Sequence, residues 1–115
     1  MKREHFLHCH LAGFSFYEGV LAFEHLKIGT ELSLKHDPDN RYDKYAVEVY
    51  YKDHKLGFIP RQMNRAIAKL LKAGIDCFEA RVQWLDGEAH PENQVGLIVY
   101  ILGKDRVLKE EHISK

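Results

Sequence analysis

ELSLKHDPDNRYDKYAVEVYYKDHKLGFI, residues 31–59, decides the fold class. Over 31–36 Leu32 and Leu34 fall on one face, the period of a half-buried strand. Residues 37–44, DPDNRYDK, concentrate Asp, Pro and Asn, which favour turns. Over 45–52 Val47, Val49 and Tyr51 return to one face. Asp53 and His54 allow a tight reversal, and 55–59 reads as a further short strand. That pair forms a hairpin pattern, although it lacks the Asn-Gly or Asp-Gly that most often makes one.

Working outward, residues 6–14 also alternate. Leu7, Cys9 and Leu11 share one face and Phe6, His8 and His10 the other. Residues 16–19 form a corner, 20–26 fit one or two helical turns, and Lys27–Ile28–Gly29 turns the chain. Downstream, Met63, Ile67, Leu70 and Leu71 recur at helical spacing within 61–73. Pro60 precedes that helix, where its missing N–H matters little, and Gly74 follows at a left-handed cap position. Arg61, Arg65, Lys69 and Lys72 lie on its polar side, where a solvated face is the simplest reading. Residues 78–85 read as a strand with Phe78, Ala80, Val82 and Trp84 on one face; 86–93 is a loop; 95–102 is a continuous β-favouring run expected to be fully buried. The pattern predicts a mainly β domain: a small antiparallel barrel of about six strands, one or two helices, and an amphipathic helix near 61–73.

The chain has 115 residues, a single domain's worth. Its core is expected over 6–102, with a charged tail at 103–115. Seventeen Lys+Arg balance 17 Asp+Glu, so a nucleic-acid contact must be a local patch rather than a global field. Two cysteines, Cys9 and Cys77, give neither a disulfide framework nor a CxxC pair and suggest a reducing compartment. The longest apolar run falls far short of the ~20 residues of a membrane helix, and charged and histidine residues interrupt the start. The expectation is a cytoplasmic protein with no membrane contact.

No nucleophile elbow, phosphate loop, dinucleotide fingerprint or HExxH motif occurs, so the chain is expected not to be an enzyme. His8 and His10 would share a strand face as some zinc ligands do, but no second cluster supplies the remaining ligands, and no cofactor is expected. The loop 37–48 has the acidic look of a calcium loop, yet Tyr42 occupies the sixth position where glycine is required. Aromatic and basic residues do occur together: Phe16 and Tyr17 at the corner, and Tyr42 and Tyr45 beside Arg41 and Lys44. Exposed rings stack on bases while cations hold phosphates.

Three segments carry a resemblance: AGFSFYEG (12–19), DPDNRYDKYAVEV (37–49) and KLGFIPRQMNRAIAKLLKAG (55–74). Together they resemble the HIRAN domain over roughly residues 6–99. The resemblance implies an OB-like β-barrel, without catalysis of its own, that binds single-stranded DNA or 3′-hydroxyl ends in a repair or replication setting. It implies aromatic stacking by Phe16 and Tyr17. It places Asn40, Tyr42 and Asp43 in the loop, with Asp43 accepting from the terminal hydroxyl, and a basic contact at Arg61. Ser15 stands where the family's corner often carries Arg, Phe16 where it has Tyr, Tyr45 where Asn is usual, and Phe58 where a Gly-His-Ile-Pro form has His. The site expected is therefore Ser15, Phe16, Tyr17, Asn40, Tyr42 and Asp43, with Arg41, Lys44 and Arg61 at the rim. Asp43 equally suits a turn residue bonding its own backbone two positions on. The partners expected are nucleic acid and, within a DNA-processing complex, other proteins. The alternative is a protein-interaction barrel that has lost DNA binding.

Overall fold

The computed structural model describes residues 2–14, 17 and 19–103. Six strands, β1 (Arg3–His10), β2 (Glu31–His36), β3 (Val47–Tyr51), β4 (His54–Phe58), β5 (Phe78–Leu85) and β6 (Val95–Leu102), form one sheet in the order β1-β6-β5-β2-β3-β4. Every pairing is antiparallel. The two edges of this sheet approach each other. Just beyond β1, Ala12 and Phe58 exchange backbone hydrogen bonds of 2.9 Å in both directions. Among the described residues a single bridge therefore joins the edges where a closed barrel would have a ladder.

The chain's apolar residues meet inside this curl. Leu11, Phe14, Val47, Val49, Leu56, Ile59 and Val99 are all at or below 1% exposure. Burial at that level removes roughly 1.5–3 kcal/mol of unfavourable hydration per large side chain. The β2–β3–β4 segment forms as the alternation predicts, with Leu32, Val47 and Val49 buried and Leu34 half-buried. Its reversal falls at Lys52 and Asp53, and Lys52 takes φ 52°.

Bulges alter the faces in three strands. In β1, Phe6 has no partner between His5↔Tyr100 and Leu7↔Val99. It therefore turns inward beside Leu7 and meets Phe78 at 5.7 Å between ring centroids, which corrects its expected place beside His8 and His10. In β5, Gln83 is the extra residue between Val82↔Leu97 and Trp84↔Gly96. Leu85 moves inward, and Trp84, expected on the core face, is 52% exposed. In β4, Leu56 is the extra residue between Val49↔Gly57 and Tyr50↔Lys55. β6 is buried chiefly on one face: Val95, Leu97 and Val99 point inward, whereas on the other face Gly96 and Leu102 are covered and Ile98 and Tyr100 between them are half-exposed.

The expected helix over 61–73 is two pieces, a 3₁₀ turn at Arg61–Met63 and helix α2 at Arg65–Lys72, joined at Asn64. Ile67 and Ala68 are its buried anchors, Leu71 packs at the core's edge, Leu70 is half-buried and Met63 is exposed. It ends as predicted. Gly74 takes φ 83°, its N–H bonds to Leu71 O at 3.0 Å, and Ile75 N–H bonds to Leu70 O at 2.9 Å, the paired bonds of a Schellman cap. A helical turn, α1 (Gly19–Ala22), with a 3₁₀ turn at Phe23–His25, fills 19–25. The expected tail at 104–115 lies outside the described residues.

Candidate nucleic-acid interface

The loop 37–45 is built by its own side chains. Asn40 Oδ1 accepts from the backbone N–H groups of Tyr42 and Asp43, both at 3.0 Å, and Asn40 Nδ2 donates to Asp37 Oδ2 at 3.2 Å. Asp43 Oδ1 accepts from Tyr45 N–H at 2.9 Å. These are local side-chain bonds of the kind Asn and Asp make in turns. They leave the Tyr42 ring 81% exposed. Asp43 thus fills the turn role that its position in the sequence allowed.

Asp43 is also tied to the segment before α2. Asn64 Nδ2 donates to Asp43 Oδ2 at 2.8 Å, and Arg61 Nε lies 3.6 Å from the same oxygen. Arg61 donates in addition to the carbonyl of Tyr42. Asn64 occupies the N-cap position of α2 and makes no side-chain cap bond; its Nδ2 group is turned to Asp43 instead. Partial burial works against the Asp43 carboxylate. The bonds from Tyr45 N–H and Asn64, together with the Arg61 charge, outweigh it and hold the carboxyl below its ordinary range. Asp43 is therefore ionised at neutral pH. Two protein bonds and one ion pair leave acceptor capacity on its oxygens, which together offer about four lone-pair sites.

The opposite wall comes from β4 and the chain beyond β1. Gly13 takes φ 72° beside the Tyr17 ring. A Cβ on Gly13 would sit 3.2 Å from the Tyr17 ring, so the glycine gives the ring its place. Tyr17 and Phe58 pack edge to face at 5.5 Å, and Lys55 Nζ lies 4.4 Å from each ring centroid. Burial opposes the Lys55 charge, but the 2.8 Å pair with Glu48 holds its ammonium above the ordinary lysine range.

The two walls enclose a groove of about 340 Å³, lined among others by Tyr17, Tyr42, Asp43, Lys55, Phe58 and Arg61. Asn40 and Asn64 also reach it. Of the residues expected at the site, Tyr17, Asn40, Tyr42, Asp43 and Arg61 are brought together here. Arg41 is exposed but does not line the groove. Lys44 lies on the far side of the loop, in a second cleft. Ser15 and Phe16 lie outside the described residues.

Sequence reasoning missed Lys55, Phe58 and Asn64 as lining residues. Lys55 and Phe58 would fall on opposite faces of a regular strand; the bulge at Leu56 puts them side by side. Gly57, at φ 154° within the strand, is the one local signal of that bulge.

Elsewhere, His5 Nε2 and His8 Nδ1 are 3.0 Å apart. Among the described residues no group of three His, Cys, Asp or Glu could hold a metal ion. Cys9 and Cys77 are free, and burial pushes the Cys9 thiol up to about 12, away from nucleophilic character. Among the described residues no helix is long and apolar enough to cross a membrane.

Comparison with known families matches residues 5–101 to the HIRAN domain. No curated protein matches the chain. Among solved structures, a Lactobacillus plantarum protein is similar with a TM-score of 0.73 at 24% identity, over 87% of this chain and 95% of that one. The HIRAN domain of human HLTF is similar with a TM-score of 0.66 at 23% identity, over 94% of this chain and 85% of that one.

Proposed function

This chain belongs to the HIRAN domain family, a family of nucleic-acid-binding modules, and from that premise we propose that it binds single-stranded DNA at a free 3′-hydroxyl end. The observation that carries the reading is the convergence of two exposed rings, two cations and one ionised carboxylate on a single groove. Tyr17 and Tyr42 offer faces on which terminal bases stack, at ~1–3 kcal/mol per base and with little base preference. Arg61 and Lys55 attract phosphate. Asp43 repels it, so a carboxylate in such a groove suits a nucleotide that presents a hydroxyl donor in place of a phosphate.

The chain acts by binding alone, with no catalysis and no resident metal, as a cytoplasmic module of a DNA repair or replication assembly. Elemental analysis of the purified protein should return no stoichiometric zinc. One zinc per chain, lost on replacing His8 and His10, would refute that part of the reading.

The function itself is tested by fluorescence anisotropy with oligonucleotides ending in 3′-hydroxyl or 3′-phosphate, at two salt concentrations. The hydroxyl-ended strand should bind more tightly, and added salt should weaken both. Asp43→Ala should narrow the gap between the two ends, because the acceptor for the hydroxyl and the repulsion of the phosphate vanish together. An end preference unchanged in Asp43→Ala would leave the aspartate as a turn residue only. Binding of no oligonucleotide at either salt would favour the protein-interaction module.

A further inference from the structure

Behind the loop that walls the groove lies a second, smaller cleft of about 130 Å³. β2 contributes His36, the loop contributes Pro38, Lys44 and Tyr45, and α2 contributes Ala68, Lys69 and Lys72. His36 Nε2 donates to the Lys44 carbonyl at 2.9 Å and so pins the loop backbone at the cleft's edge. The Tyr45 ring carries cations on it, with Lys44 Nζ at 5.2 Å and the Arg65 guanidinium carbon at 4.8 Å from its centroid. Arg65 also donates to the Tyr45 hydroxyl at 3.1 Å.

Two observations speak against an ordinary solvated helix face. First, α2 reads RAIAKLLK, with Arg65, Lys69 and Lys72 on one stripe and no carboxylate in the helix. A solvated face normally interleaves both signs, and like charges at this spacing destabilise a helix. Among the described residues, no carboxylate pairs with Lys44, Arg65, Lys69 or Lys72. Second, the stripe is not isolated on the surface. Lys69 and Lys72 line the cleft and Arg65 contacts the Tyr45 ring that lines it too, and the cleft shares a wall with the groove: Tyr42 and Asp43 line one side, and Lys44 and Tyr45, the next two residues, line the other.

We propose that this cleft is a second phosphate-binding site, holding the sugar–phosphate backbone of the same strand a few nucleotides from the end in the groove. The inference rests on the groove reading for its ligand. The groove recognises an end but is short and carries its own carboxylate. The cleft supplies positive charge that pairs with no carboxylate among the described residues, and its lining holds no carboxylate to accept from a terminal hydroxyl. The two sites therefore have separate roles. The groove selects the end, and the cleft gives sequence-independent, salt-sensitive affinity. A chain with formal net charge zero thereby presents a local cationic track.

The test uses the purified chain and 5′-labelled, hydroxyl-ended oligothymidylates, a trimer and a dodecamer. The double variant Lys69→Gln/Lys72→Gln keeps good helix formers at both exposed positions. It should weaken dodecamer binding several-fold at low salt and lower the salt slope by about 1.4, two contacts at about 0.7 each on a single strand. It should leave trimer binding unchanged. Lys69→Arg/Lys72→Arg, which keeps the charge, should restore dodecamer affinity and slope. Tyr17→Ala should weaken both oligomers. An unchanged dodecamer affinity and slope in the glutamine variant overturns the second site, whether or not Tyr17→Ala weakens binding. A silent Tyr17→Ala beside a weakened glutamine variant refutes the groove reading and leaves the cleft as the principal contact. If a polyglutamate peptide displaces the dodecamer as well, charge for charge, as unlabelled oligonucleotide does, the cleft fits an acidic protein and the nucleic-acid assignment falls.

Discussion

Asp43 shows how one side chain serves two purposes in this molecule. Its Oδ1 closes the turn on Tyr45, and its Oδ2 receives the amide of Asn64, which is only 2% exposed. Asp43→Ala leaves that buried amide without its acceptor, at a cost of about 1–3 kcal/mol, measurable by urea denaturation. The linkage to pH has a definite sign. The folded-state pKa is depressed, so the ionised carboxylate contributes stability that is fully present above the unfolded value of about 3.9. That contribution is lost as pH falls through the lower folded value. The stability difference between the wild type and Asp43→Asn should therefore be constant from neutral pH down to about pH 4–5 and shift toward the variant below it; a difference independent of pH throughout would mean that Arg61 and the turn bonds leave the carboxyl untuned. Tyr17 makes the opposite kind of contribution. Its ring is 39% exposed, packs edge-on to Phe58 and has the Lys55 ammonium 4.4 Å from its centroid. Tyr17→Ala should reduce oligonucleotide affinity by about 1–3 kcal/mol while changing stability much less than Asp43→Ala does. Anisotropy and denaturation of the same variant separate the two.

At the scale of elements, α2 is held along its body by packing and at its N-terminal cap by the site. Ile67 and Ala68 are fully buried, whereas Leu70 is half-exposed although the helical period assigns it to the same apolar face. Ile67→Ala should cost about 2–5 kcal/mol, and Leu70→Ala roughly half as much or less, by urea denaturation. Equal losses would mean that the helix is rotated from the orientation described. The break at Asn64 has a clear cause. A continuous helix from Arg61 would carry Asn64 around with the regular period, but Asn64 is held by Asp43 and Arg61 by the Tyr42 carbonyl. The periodicity in 61–73 made the helix legible; the break was not legible, because it depends on a loop some twenty residues earlier in the chain.

Across the whole molecule, the groove exists because the sheet's two edges meet at the Ala12–Phe58 bridge. Gly57 makes that approach possible: a Cβ there would stand 2.4 Å from the Ala12 carbonyl oxygen, and its φ is 154°. Gly57→Ala should destabilise the fold by about 1–3 kcal/mol through backbone strain alone and more through the contact. It should also weaken oligonucleotide binding, since Tyr17 and Phe58 lose their common frame; full binding retained in a folded Gly57→Ala protein would place the groove's integrity elsewhere. The sequence by itself determined the extents of β2 and β5, the hairpin of β3 and β4, the cap at Gly74 and the turn chemistry of Asn40 and Asp43, because each follows from side-chain period or from bonds within a few residues. Motif resemblance also singled out Tyr17, Tyr42, Asp43 and Arg61, which the structure does gather. Only in the folded sheet does Phe6 turn in, Trp84 turn out and Lys55 stand beside Phe58. The reason is physical: a bulge is a property of two paired strands, and one extra residue reverses every face beyond it, so no alternation read along a single strand can disclose it.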